Sequence, residues 1–123
     1  MISHFPRVLC IDDSPEVLSL VSAALGAFRM ETAITKEQGI EKARTGGYSL
    51  VIIDYSLPDG TGEELYNLLR IFDKKTPVLF MTGGFGITDR EARSIGAMGS
   101  LRKGNVDFVG QLRSRVNGTI GHS

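Results

Sequence analysis

The chain of 123 residues has no tryptophan, one cysteine, four prolines and no net charge. The single cysteine, Cys10, excludes an internal disulfide and fits a reducing compartment, so we expect a cytoplasmic protein. With 14 basic and 14 acidic residues, the chain gives no electrostatic reason to expect nucleic acid or an anionic membrane as partner. No apolar run approaches the about 18 residues that a membrane span needs. The length suits one domain over residues 1–123.

Short apolar runs alternate with amphipathic stretches along this chain. Five strands are predicted, at residues 8–11, 29–33, 50–53, 78–81 and 100–102. Ser14, Thr35 and Asn105 are predicted caps of three helices. Two further helices are predicted, one marked by Leu65, Leu68, Leu69 and Phe72 and one over 89–97, and a frayed tail is predicted over 117–123. Five strands alternating with five helices predict an α/β fold, an open parallel five-stranded sheet with helices on both faces.

Polar side chains follow four of the predicted strands, at the edge where such sheets bind ligands. They are Asp12 and Asp13 after the first strand, Asp54 after the third, Thr82 after the fourth and Lys103 after the fifth. Neighbouring carboxylates repel, so they need a cation or raised pKa values, and oxygen ligands suit Mg²⁺. A carboxylate beside Mg²⁺ can attack a phosphoryl group. Alternatively, the acids cap helices and turns, and Thr82 and Lys103 are ordinary strand-end and surface residues.

Four sequence motifs resemble the receiver domain of two-component response regulators. They are IDD at 11–13, IIDYSLPDGTG at 52–62, FMTGG at 80–84 and RKG at 102–104. The resemblance covers essentially the whole chain and implies the flavodoxin-like (βα)5 fold. PVLFMTGGF at 77–85 is also similar to the PFxFATG-type motif of a single-domain subgroup, with departures at Val78 and Met81.

The resemblance implies a role for each polar residue at the sheet edge. Asp54 is the implied phosphoacceptor, Thr82 the switch hydroxyl and Lys103 the family's lysine. Mg²⁺ is the implied cofactor, held by Asp12, Asp13, Asp54 and the backbone carbonyl of Ser56. The phosphoryl group is expected from a sensor histidine kinase, a phosphotransfer protein or a small phosphodonor. The implied chemistry is limited to self-phosphorylation and autodephosphorylation.

Two residues depart from the family's pattern. Ser100 stands where the family has a switch aromatic, and Gly104 stands where it has a proline after the lysine. A non-prolyl cis bond costs about 3 kcal/mol, so we expect a trans bond before Gly104. Phe85 either supplies the missing aromatic or is buried in its loop, and burial is the favoured interpretation. Cys10 is predicted to be a small core residue.

The sequence therefore predicts a stand-alone receiver whose output is a protein contact, on the side that runs from Thr88 to Val116. The alternative is a receiver fold that binds its partner independently of phosphorylation, which the departures at Ser100 and Gly104 suggest. A Mg²⁺ phosphohydrolase acting on external substrates fits poorly, because Asp12-Asp13-Ser14 lacks the D-x-D spacing of haloacid-dehalogenase-like phosphatases.

Overall fold

The strands of the protein form one parallel sheet and one short hairpin. The structure, a computed structural model, describes residues 6–120. Its strands are β1 (Arg7–Ile11), β2 (Arg29–Ala33), β3 (Leu50–Asp54), β4 (Ser56–Leu57), β5 (Gly60–Thr61), β6 (Val78–Thr82) and β7 (Gly99–Arg102). Five of them make a parallel sheet in the order β2-β1-β3-β6-β7, and β4 and β5 pair as the antiparallel hairpin. The predicted fold class is confirmed.

Five helices are described within residues 6–120, and the first four begin after a residue whose side chain caps them. They are α1 (Pro15–Ala24), α2 (Lys36–Arg44), α3 (Gly62–Phe72), α4 (Asp89–Ser94) and α5 (Phe108–Ile120). Ser14 and Thr35 each accept a backbone hydrogen bond from the first turn of the helix that follows, as predicted. None of the helices described between residues 6 and 120 is long and apolar enough to cross a membrane.

The sheet has a separate apolar cluster on each face. Leu9 and Ile11 of β1 pack on one side with residues of α2, α3 and α4. Val8 and Cys10 pack on the other side with residues of α1 and α5. The central strands β3 and β6 are therefore apolar at every position before their last residue, because both of their faces are buried. Cys10 is completely buried, as predicted for a core residue, and burial raises the pKa of its thiol.

Helix α4 is shorter than the predicted segment 89–97. It ends at Ser94, and Gly96 adopts a φ of +102°, a left-handed conformation that stops the helix. The chain can then turn within four residues into β7, which begins at Gly99.

Helix α5 differs from the prediction at both ends. Asn105 does not cap it; its Oδ1 accepts a hydrogen bond from the Asp107 backbone in a turn that precedes the helix. The helix continues to Ile120, which packs against the α1 and α5 side of the sheet. The predicted frayed tail is therefore wrong over 117–120, and residues 121–123 lie outside the described part of the chain.

Candidate functional site

The carboxyl ends of three neighbouring strands bring the predicted site residues together. Asp12 follows β1, Asp54 is the last residue of β3, and Thr82 is the last residue of β6. In the sheet, Asp54 lies opposite Met81, so Thr82 is one position further along the same edge. Lys103 follows β7, and its backbone N–H donates to the Thr82 carbonyl at 2.8 Å. The predicted convergence follows from parallel strands sharing one edge.

Three carboxylates meet at this edge. One oxygen of each of Asp12, Asp13 and Asp54 lies within 4.8 Å of the others. Asp12 is fully buried and Asp54 nearly so, whereas Asp13 is exposed to solvent. A set of carboxylate oxygens with one exposed member fits Mg²⁺, which prefers oxygen ligands and retains several waters. The donor set present here thus fits the implied ion.

Lys103 is the counter-charge of the two buried carboxylates. Its Nζ lies 2.9 Å from Asp12 Oδ2 and 3.2 Å from Asp54 Oδ1. Burial lowers the pKa of Lys103, but the hydrogen bond to Asp12 and the charges of both carboxylates outweigh it, so the pKa is raised. Lys103 therefore stays an ammonium at neutral pH. Its side chain reaches both acids although the bond before Gly104 is trans, as expected.

The carboxylate of Asp54 is held in an unfavourable ionised state. Burial, and then the charge of Asp12, raise its pKa, while Lys103 opposes the shift. Its Oδ1 contacts Lys103 and accepts a long 3.4 Å bond from the Ser56 backbone N–H. None of the hydrogen bonds found within residues 6–120 uses Asp54 Oδ2, which leaves that oxygen free to react. The Ser56 carbonyl as a metal ligand stays a prediction.

The hairpin after Asp54 is packed closely against its surroundings. The Gly62 N–H donates to the Tyr55 carbonyl at 2.6 Å, and a Cβ at Gly62 would lie 2.6 Å from the Asp54 carbonyl oxygen. Glycine is therefore required where this loop enters α3. Leu57 is buried in the core, which anchors the first strand of the hairpin.

The sequence analysis missed Asp59, at the tip of this hairpin. Its two carboxylate oxygens accept the backbone N–H groups of Lys36 and Glu37, at 2.7 and 3.0 Å. Pro58, Asp59 and Gly60 indicated only a loop, because no local pattern shows that a side chain bonds to a helix more than 20 residues away.

A cavity of about 250 Å³ lies beside Thr82 and Ser100. Ser100 is itself buried and lines this cavity, so a small hydroxyl side chain stands here in place of a ring. Phe85 does not fill it: the side chain is 95% exposed, and the predicted burial in its loop is wrong. A Cβ added at the neighbouring Gly83 or Gly84 would meet nothing within 4 Å, so the loop is open to solvent next to this ring.

Asp89 connects three elements next to that cavity. Its Oδ1 accepts the Ser100 backbone N–H of β7 at 2.8 Å and the Arg115 guanidinium of α5 at 3.1 Å. Its Oδ2 accepts from Arg93 within α4. Asp89 thus links α4 to the edge strand and to α5.

Comparison with known proteins shows similarity to one protein family. The sequence model of the response regulator receiver domain matches residues 8–113. The cell cycle response regulator CtrA of Brucella ovis is 33% identical over 86 residues, which cover 68% of this chain and 37% of CtrA. CtrA of Brucella anthropi matches with the same identity and coverage. The match thus spans little more than one third of the length of these relatives.

Solved structures of receiver domains share the fold. The non-phosphorylated HemR receiver domain from Leptospira biflexa superposes with a TM-score of 0.82 at 26% identity, covering 96% of each chain. The chemotaxis response regulator CheY4 of Vibrio cholerae gives a TM-score of 0.78 at 28% identity, covering 92% of this chain and 99% of CheY4. Both similarities extend over nearly the whole sheet and its helices.

Proposed function

The chain belongs to the response regulator receiver domain family, and we propose that it accepts a phosphoryl group at Asp54 and thereby switches a protein-binding surface. One observation carries this proposal: Asp54 is a buried carboxylate with one oxygen free, next to two further acids and one ammonium. The expected donor is a sensor histidine kinase or a phosphotransfer protein, acting in the cytoplasm.

The transfer is a displacement at phosphorus. Asp54 Oδ2 attacks the phosphorus of a phosphohistidine and the P–N bond breaks. The electron pair of that bond stays on the ring nitrogen, which takes one proton from solvent and leaves as neutral imidazole. The product is a mixed anhydride at Asp54. Mg²⁺, when bound by Asp12, Asp13 and Asp54, supplies positive charge for the phosphoryl oxygens. Burial, which with the charge of Asp12 raises the pKa of Asp54, also leaves this carboxylate poorly solvated, and we propose that little water has to be removed before it attacks.

Lys103 and Thr82 are proposed to bind the phosphoryl group after transfer. The Lys103 ammonium already contacts Asp54, so it can pair with an oxygen of the new phosphoryl group without a movement of the strand that precedes it. The Thr82 side chain is almost fully buried at the adjacent strand end. Gly86 lies close to this side chain, since a Cβ added there would be 3.1 Å from Thr82 Cγ2, and we expect rotation of Thr82 toward the phosphoryl group to alter this contact.

The proposal is tested by the intact mass of the protein after incubation with acetyl phosphate. We expect one phosphoryl group on the wild type with Mg²⁺ and none when the ion is chelated. Asp13→Ala, which removes the exposed carboxylate, should raise the Mg²⁺ concentration that gives half-maximal phosphorylation by about tenfold or more. An unchanged Mg²⁺ dependence in this variant would count against the metal site.

The surface that responds is proposed to lie on the 88–116 side. The contacts of Asp89 join α4, β7 and α5, and β7 connects directly to Lys103. We expect that acetyl phosphate and Mg²⁺ shift the amide resonances of 83–89 and 99–115 more than those of 15–44. Shifts confined to α1 and α2 would refute this location.

A phosphorylation-independent interaction module is the second candidate. The cavity beside Ser100 favours it, because a ring that couples Thr82 to the surface in the family is absent here. Its signature is equal binding of the natural partner by the wild type and by Asp54→Ala.

A further inference from the structure

We infer that Asp59 is a positioning residue, which holds the Ser56 backbone at the acid cluster by tying the hairpin tip to the start of α2. The inference rests on the proposed function, since it concerns the ion that Asp12, Asp13 and Asp54 would bind. Asp59 itself does not contact the ion. Its role is to fix the loop that carries a predicted ligand.

Both oxygens of Asp59 are used in this contact. They accept from the backbone of Lys36 at 2.7 Å and of Glu37 at 3.0 Å, the first two residues of α2. These N–H groups have no partner within the helix. Within residues 6–120 the side-chain hydroxyl of Thr35, the cap of α2, accepts from Gln38 and from neither of these two N–H groups. The hydrogen bonds lower the pKa of Asp59, the bond from Lys36 most, so the side chain is a carboxylate at neutral pH.

The hairpin is short enough to carry this restraint to Ser56. Leu57 pairs with Gly60 across the turn, and Ser56 pairs with Thr61. Only Pro58 and Asp59 stand between the two strands. The tip also lies against its neighbours, because a Cβ at Gly60 would meet Lys36 Nζ at 2.9 Å. When the tip is released from α2, the buried Leu57 still anchors the strand that contains Ser56, but the restraint at the tip is lost, and we expect the exposed Ser56 backbone to become less fixed.

Of the predicted metal ligands, Ser56 is the one that such a loss of restraint would displace most. Asp12 and Asp54 are fixed by the buried strands β1 and β3, whereas Ser56 is exposed and outside the main sheet. Groups that orient metal ligands from outside the coordination sphere typically change metal affinity by about 10–100-fold when they are removed. Because Asp59 acts on a single ligand through the hairpin, the low end of that range is expected.

The test is a Mg²⁺ titration without phosphodonor, followed through the amide resonances of residues 12, 13 and 54–56. Asp59→Ala should raise the Mg²⁺ dissociation constant about tenfold relative to wild type. Thr35→Ala is the matched control, because it weakens the same end of α2 without touching the hairpin. Its dissociation constant should equal that of the wild type. Asp59→Asn retains one carbonyl oxygen and should recover part of the affinity.

Three results would overturn the inference. Equal Mg²⁺ affinity of the wild type and Asp59→Ala would remove the positioning role while leaving the metal site intact. An equal loss in Asp59→Ala and Thr35→Ala would assign the effect to α2 stability rather than to the hairpin. A wild type that does not bind Mg²⁺ would overturn the metal site itself, and with it the inference.

Discussion

Asp54→Asn should carry no phosphoryl group after incubation with acetyl phosphate and Mg²⁺, under conditions that label the wild type. The amide keeps the size of the side chain but is not a competent nucleophile, so the acyl phosphate cannot form. Intact mass is the suitable measurement, because the chain has no tryptophan whose quenching would report the reaction. Asp73→Asn, at the far end of α3, is the matched control and should be labelled like the wild type. A phosphoryl group found on Asp54→Asn would contradict the assignment of Asp54 as the phosphoacceptor.

We expect Asp54→Asn also to change the thermal stability of the protein. The folded state raises the pKa of Asp54, mainly through burial and then through Asp12. A carboxyl group whose pKa is higher in the folded than in the unfolded state stabilises the fold while it is protonated. This contribution is complete at a pH below the pKa of the unfolded state, and it is lost as the pH rises through the pKa of the folded state. Without Mg²⁺, Asp54→Asn should therefore unfold at a higher temperature than the wild type near neutral pH. The difference should close in acid; a difference independent of pH would contradict this explanation.

Lys103→Met should lower the free energy of unfolding by about 3 kcal/mol at neutral pH without Mg²⁺, because it leaves two buried carboxylates without their counter-charge. The Lys103 pKa is raised in the folded state, so its contribution is fully present at neutral pH and is lost only as the pH rises through the folded value. Denaturant unfolding of the variant and the wild type measures the difference.

Mg²⁺ should restore part of the stability that Lys103→Met loses, because the ion then neutralises the same acids and binds only the folded state. The matched control is Lys36→Met. Lys36 lies 3.8 Å from the exposed Glu64, and removing a surface pair of this kind changes stability by about 1 kcal/mol or less. If the two lysine variants lost equal stability, the ammonium between Asp12 and Asp54 would not be the counter-charge that we describe.

Most of the site was predictable because it follows from local patterns and one topological rule. Runs such as Leu50–Asp54 are apolar at each position before the acid, which indicates strands buried on both faces. Once the sheet is parallel, the residues after its strands share an edge. Asp12, Asp54 and Lys103 meet for that reason, although no pattern links them directly.

Features that depend on distant contacts were not predictable. The bond of Asp59 to α2 joins two exposed segments that have no shared pattern. The exposure of Phe85 depends on the empty space around a glycine-rich loop, which propensity does not describe. Helix α5 extends past Asn117 and Gly118, two poor helix formers, because Val116 and Ile120 find apolar partners on the sheet.

The counter-charge of the site has a consequence for the biogenesis of the protein. Lys103 lies 91 residues after Asp12, and the strand that precedes it is the last to join the sheet in chain order. Domains fold as units during synthesis, and contacts of such long sequence separation form late. A nascent chain that has passed Asp54 but not residue 103 has the acids without the ammonium. The charge balance of the acid cluster is therefore complete only when translation has delivered the final strand and the lysine that follows it.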